Sequence, residues 1–86
     1  MKVLKQLVKR NIAGDVILVP VGDASLELKG LLTLNETGEF LWDRLPSAAD
    51  GAALAAALLE EYDVDAEAAK ADVAEFLEKL HALHII

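Results

Sequence analysis

The chain has 86 residues, 55% of them hydrophobic, no cysteine and a formal net charge of -7, with a sequence pI of about 4.6 and a mean hydropathy of +0.35. That length fits one domain, 1–86, and that hydrophobicity excludes a disordered chain. The charge repels phosphates and argues against a nucleic-acid partner, while the missing thiols exclude disulfides, zinc–thiolate sites, iron–sulfur clusters and thiol catalysis.

The opening stretch "MKVLKQLVKRNIAG" is apolar but interrupted by Lys2, Lys5, Lys9 and Arg10. It therefore does not read as a signal peptide. No run approaches the roughly 18 apolar residues of a membrane span, so a cytoplasmic protein with no membrane partner is expected. In "QLVKRNIAGDVILVPVG" two apolar segments flank Ala13, Gly14 and Asp15, and the Gly-Asp pair is expected to turn a hairpin. Pro20 lacks a ladder donor, which puts it at a strand end, a bulge or an edge. In "SLELKGLLTL" Leu26 and Leu28 share one face, Glu27 and Lys29 the other. Lys29-Gly30 is a turn candidate that returns the chain as a third strand at 31–34, with an extra hairpin arm around 24–28.

The rest is helical, in three pieces. Asn35 is a good N-cap, and Glu36 and Glu39 fall in the first turn, where the helix dipole favours acids. Phe40, Leu41 and Leu45 form one apolar stripe with Trp42 beside it, and Pro46 and Ser47 end the helix. Asp50 caps the second helix, where Leu54, Leu58, Leu59 and Tyr62 recur at three and four residues. Asp65 caps the third, whose Ala66, Ala69, Val73, Phe76, Leu77, Leu80 and Leu83 alternate with charged positions in an amphipathic pattern. Strands grouped before helices give an α+β fold, a three-stranded antiparallel sheet followed by three helices, which is winged helix-turn-helix-like.

Chemistry is sparse along this chain. The five glycines are scattered singly, so there is no phosphate loop, and Ser25 and Ser47 lie in no nucleophile elbow. His81 and His84 are three apart and share part of a helix face, but no carboxylate joins them in register. They read as histidines near a helix C-terminus, where positive charge is favoured. Asp63, Asp65 and Glu67 resemble the start of a calcium loop, yet Ala68 stands where the turn glycine belongs and Ala74 where the bidentate acid belongs. Trp42 reads as a half-buried core residue, since one end of an indole commonly stays wet. No catalytic residue, metal site or cofactor is expected. A winged-helix DNA-binding regulator needs a basic recognition helix, whereas residues 48–62 contain no Lys or Arg.

"LNETGEFLW", followed after a gap by "DVAEFLEKLHALHII", resembles the PqqD-like family. The matching positions are Leu34, Asn35, Thr37 and Gly38, then Asp72, Val73, Phe76, Leu77 and Leu80. The resemblance covers roughly residues 8–86 and departs at "PVGDASLELKG", which is longer than the hairpin typical of the family. It implies a non-catalytic recognition element for ribosomally synthesised, post-translationally modified peptides (RiPPs). Such an element binds the leader of a precursor peptide by strand addition and presents it to a modifying enzyme, often a radical S-adenosylmethionine enzyme. Its docking groove is expected between Leu32, Thr33 and Leu34 of the third strand and Val73, Leu77 and Leu80 of the third helix. The chain would be a monomer, or a dimer through the free strand edge. The competing readings are the DNA-binding regulator and a scaffold subunit that binds only a partner enzyme.

Overall fold

Among the residues that the computed structural model describes, 1–23 and 32–86, three strands precede three helices. Strands β1 (Leu7–Ile12), β2 (Asp15–Pro20) and β3 (Leu32–Leu34) form one antiparallel sheet in the order β1-β2-β3. This is the α+β arrangement expected from the sequence, and it is consistent with the winged helix-turn-helix class. The anticipated arm at 24–28, the Lys29-Gly30 turn and Leu31 lie outside the described residues.

The first hairpin turns one residue earlier than expected. Asp15 already pairs with Ile12, so the turn is Ala13-Gly14. Both turn residues have positive φ, 54° and 87°. Two successive left-handed residues give the turn whose twist matches that of the strands it joins. Glycine adopts this conformation freely and alanine at a cost, which is why the residue pair did not announce the turn. Pro20 closes β2 opposite Leu7, the strand-end position that a missing donor allows.

Directly paired residues share a face. Leu18 with Leu32 and Val16 with Leu34 therefore look toward the helices, and Ile17 with Thr33 look away. Leu18 is fully buried and Leu34 nearly so. Lys9, paired with Leu18, also emerges on the helix side. Its Nζ lies 2.9 Å from Asp43 Oδ1 and 3.0 Å from Glu39 Oε2, clasping the sheet to the first helix.

Helix α1 spans Glu36–Arg44 and runs into a single 3-10 turn, Leu45–Ser47, around Pro46; α2 spans Gly51–Glu61 and α3 Ala66–Ala82. All three expected caps are present. Asn35 Oδ1 accepts from the Gly38 amide at 2.7 Å, Asp50 Oδ1 from Ala53 at 2.9 Å and Asp65 Oδ1 from Ala68 at 2.8 Å. Each satisfies a donor that the first helical turn leaves unpaired. The core gathers Phe40, Leu41, Leu54, Leu58 and Leu80 from the three helices and Leu45 from the 3-10 turn, with Trp42 half-buried against it.

Leu59 departs from the expected stripe and is 41% exposed, while Ala55 is buried in its stead. A step of about 100° beyond Leu58 carries Leu59 out of the interface with α3. Tyr62 meets the Phe40 ring edge-on at 5.3 Å, and the Arg44 guanidinium lies 3.8 Å over the same ring. Past α3 the chain buries Ile85, whose carbonyl accepts from the Leu4 amide at 2.6 Å and ties the two ends together. No helix among the described residues is long and apolar enough to cross a membrane.

Candidate functional site

The backbone of β3 can be oriented from two observations elsewhere in the sheet. In an antiparallel ladder, hydrogen-bonded and non-bonded pairs alternate. The Val21 amide donates to the Gln6 carbonyl at 3.1 Å, which makes the inner neighbour Leu7 with Pro20 a non-bonded pair. The two-residue turn also closes on a bonded pair, Ile12 with Asp15. By both routes Asp15, Ile17 and Val19 direct their backbone groups toward β1, so Val16 and Leu18 direct theirs toward β3. Leu34 and Leu32 therefore bond back to β2. Thr33, opposite Ile17, points both its N–H and its C=O out of the sheet.

Beside that edge lies a cleft of about 490 Å³. Leu32 and Leu34 of β3, Leu41 of α1, and Phe76 and Leu80 of α3 supply its apolar walls. Its rim is charged: Asp15 at the start of β2, then Asp72, Glu75 and Lys79 along α3, all of them exposed. The abrupt junction of β3 with α1 shapes one end. Asn35, the cap, and Gly38 both line the cleft. A Cβ on Gly38 would stand 3.1 Å from Asn35 Oδ1 and 3.4 Å from Leu34 Cδ2, so a glycine here lets α1 start tight against the strand.

The structure brings four of the six residues singled out from the sequence to this cleft: Leu32, Thr33, Leu34 and Leu80. The other two face elsewhere. Val73 is buried in the core, and Leu77, half-buried, packs toward the start of α2. A Cβ on Gly51 would lie 3.2 Å from Leu77 Cδ1 and 3.7 Å from Val73 Cγ1. Angles along α3 explain the division. Ala69, Val73, Phe76 and Leu80 form the buried stripe; at about 100° per residue, Leu77 lies on one flank, and Asp72, Glu75 and Lys79 on the other.

Phe76, Leu41 and the three charged residues of α3 are thus cleft residues that the sequence reading did not select. An amphipathic pattern gives the buried stripe but treats both of its flanks alike. Only the position of α2 distinguishes them.

His81 is exposed in the last turn of α3, and His84 follows it, exposed, with φ 57°. Among the described residues no group of three or more His, Cys, Asp or Glu is placed to hold a metal ion. The cleft itself offers a backbone donor and acceptor, unshared among the described residues, beside an apolar floor, an arrangement suited to an extended peptide.

The family model described as coenzyme PQQ synthesis protein D (PqqD) matches residues 16–86. It therefore starts within β2, downstream of the Val8 start assigned from the sequence. No curated protein matches the chain. Among solved structures, "TbiB1 in complex with the TbiA(beta) leader peptide" shares the fold with a TM-score of 0.72 and 22% identity, over 99% of this chain and 93% of that one.

Proposed function

The chain belongs to the PqqD family, and on that premise we propose that it is a non-catalytic recognition element that binds the leader of a ribosomally synthesised precursor peptide. The leader adds to β3 as a further strand and lays alternate side chains into the cleft between β3 and α3. The protein then presents the peptide to a modifying enzyme of the radical S-adenosylmethionine class. The observation that carries this reading is the edge at Thr33, whose N–H and C=O, unshared among the described residues, stand beside an apolar cleft. The fold shared with a protein solved in complex with a leader peptide supports it further.

Energetics indicate what the leader must contain. Each backbone bond contributes a net ~0.5–1.5 kcal/mol, and ordering each peptide residue costs about 1–2 kcal/mol. These nearly cancel, so affinity comes from side chains buried in the cleft, at about 1.5–3 kcal/mol each. A residue opposite Thr33 shares its outward face, and its two neighbours point inward with Leu32 and Leu34. The leader therefore carries apolar residues at i and i+2, flanking the residue that bonds Thr33.

The test is an amide-resolved NMR titration with leader peptides encoded beside the gene. Binding near micromolar, about -8 kcal/mol, is expected. Shifts should cluster at Leu32, Thr33 and Leu34 and at Asp72, Glu75, Phe76 and Lys79, and serine at both apolar leader positions should abolish them. If no leader shifts these amides while a neighbouring enzyme does, the protein is a scaffold subunit instead.

A further inference from the structure

The sheet has a second open edge. Hydrogen-bonded pairs alternate along the β1–β2 ladder, and Gln6, Val8, Arg10 and Ile12 direct their backbone groups to β2. Leu7, Lys9 and Asn11 therefore turn N–H and C=O away from the sheet, a longer row than Thr33 presents at β3. No backbone partner meets that row among the described residues. Arg10, paired with Ile17, projects on the face away from the helices, between Val8 and Ile12 of its own strand. Ile12 is 52% exposed. Arg10 is exposed too and stands in no ion pair within 4 Å among the described residues, whereas Lys9 is committed to α1.

Charge sets this edge apart from the rest of the molecule. Residues 1–14 hold Lys2, Lys5, Lys9 and Arg10 and no carboxylate, and all 15 Asp and Glu fall in 15–86. Resting on the reading above, in which a bound leader is presented to a modifying enzyme, we propose that the enzyme docks at β1. An edge strand of the enzyme adds to β1, with an Asp or Glu facing Arg10 and apolar residues facing Val8 and Ile12. Presentation requires leader and enzyme to be held together. β1 lies two strand spacings, about 10 Å, from β3, with its free groups aimed the opposite way. One face of the incoming strand reads Φ-x-(Asp/Glu)-x-Φ, where Φ is apolar. That pattern is symmetric, so parallel and antiparallel pairing both satisfy it. In the antiparallel case the acid faces Arg10 at a non-bonded pair, where side chains approach most closely. A second copy of this chain does not fit, because β1 and β3, the two edge strands, contain no carboxylate to face Arg10. The rim of the leader cleft carries the opposite balance, Asp15, Asp72 and Glu75 against Lys79, so the two edges select different partners.

The experiment uses the full chain, the modifying enzyme encoded beside its gene and the leader, in calorimetric titrations of each pair and of all three. Asn11→Pro removes a donor that points out of the sheet, which an edge strand tolerates, and leaves an acceptor of the added strand unpaired. It should weaken enzyme binding about fivefold or more. Arg10→Glu should weaken it about three- to tenfold at low salt, the scale of an exposed ion pair made repulsive. That second loss should fade near 1 M salt, where the Debye length is about 3 Å. Both variants should keep wild-type leader binding and wild-type amide shifts in β3 and the helices.

Enzyme binding undiminished in both variants overturns the proposal, and Arg10 then only guards an edge against unwanted pairing. A neighbouring enzyme that does not bind overturns it too, as does mutual exclusion of leader and enzyme. A dimer of the chain, or retention of duplex DNA, that Arg10→Glu abolishes assigns β1 to another partner and overturns it likewise. All of these leave leader docking intact. Failure of the leader to bind removes the peptide-binding reading instead, whereas enzyme binding that depends on Asn11 and Arg10 upholds β1 as the docking edge in either case.

Discussion

Replacing Thr33 by proline separates docking from folding. The Thr33 N–H faces out of the sheet, and proline is tolerated on an edge strand where the missing donor would face solvent. The β2–β3 ladder keeps its bonds at Leu32 and Leu34. A docked leader, however, loses its donor opposite, and its carbonyl is left unpaired beside an apolar wall. That costs about 1–3 kcal/mol, or about 5- to 140-fold in Kd at 1.4 kcal/mol per decade. Leu32→Pro is the control: it removes a donor that bonds β2, and its half-buried side chain is lost as well. Calorimetric titration with the leader, alongside thermal melts, reads both quantities. Thr33→Pro should melt close to wild type and bind poorly. Leu32→Pro should melt lower, by about 4–8 °C for each kcal/mol lost in a domain of this size. A Thr33→Pro chain that melts as low as Leu32→Pro refutes the strand orientation; one that folds and binds the leader undiminished refutes the edge as the docking site.

Other perturbations test the frame that holds this edge. Ala13→Asn relieves a left-handed alanine in the β1–β2 turn and should raise stability by about 0.5–1 kcal/mol, visible as a higher urea midpoint with unchanged slope. Asp65→Ala removes the α3 cap acceptor and should cost about 1 kcal/mol in the same measurement. Lys9 has its amine pushed above 10.5 by hydrogen bonds to Asp43 and then Glu39. The stability from that clasp is therefore complete below pH 10.5 and lost as pH rises through the higher folded value. Urea midpoints of wild type and Lys9→Met should converge across that range. Tyr62, held protonated above its ordinary 10.0 chiefly by desolvation, titrates in both proteins, so their difference isolates Lys9.

Local chemistry made much of the fold legible. Asn35, Asp50 and Asp65 are short side chains that satisfy their own helix's first amides, a transaction within four residues that needs no distant partner. Pro20 ends β2 and Pro46 sits in the turn just past α1 for a similarly local reason, the missing backbone donor. The hairpin turn was misplaced by one residue because its second requirement, a left-handed Ala13, is imposed by the pairing of Ile12 with Asp15 rather than by alanine's own preference. Leu59 misled because it stands three residues before Tyr62, a spacing that fits an apolar stripe, while the packed interface is narrower than that stripe.

The sequence by itself determined the order of strands and helices, the starts of the three helices, the amphipathic pattern of α3 and the absence of a basic recognition helix. All of these follow from periodicity, capping and charge within a single segment. Only the tertiary structure decided which flank of α3 meets the open strand. Val73 and Leu77 are as apolar as Leu80, but α2 begins at Gly51 against their side, leaving Asp72, Glu75, Phe76 and Lys79 to face β3. It likewise decided that Thr33 presents the free backbone groups, because strand parity is inherited across β2 from the hairpin and is not encoded in β3 itself. A groove is a relation between elements, and its lining is set by how helices and strands pack together rather than by either sequence alone.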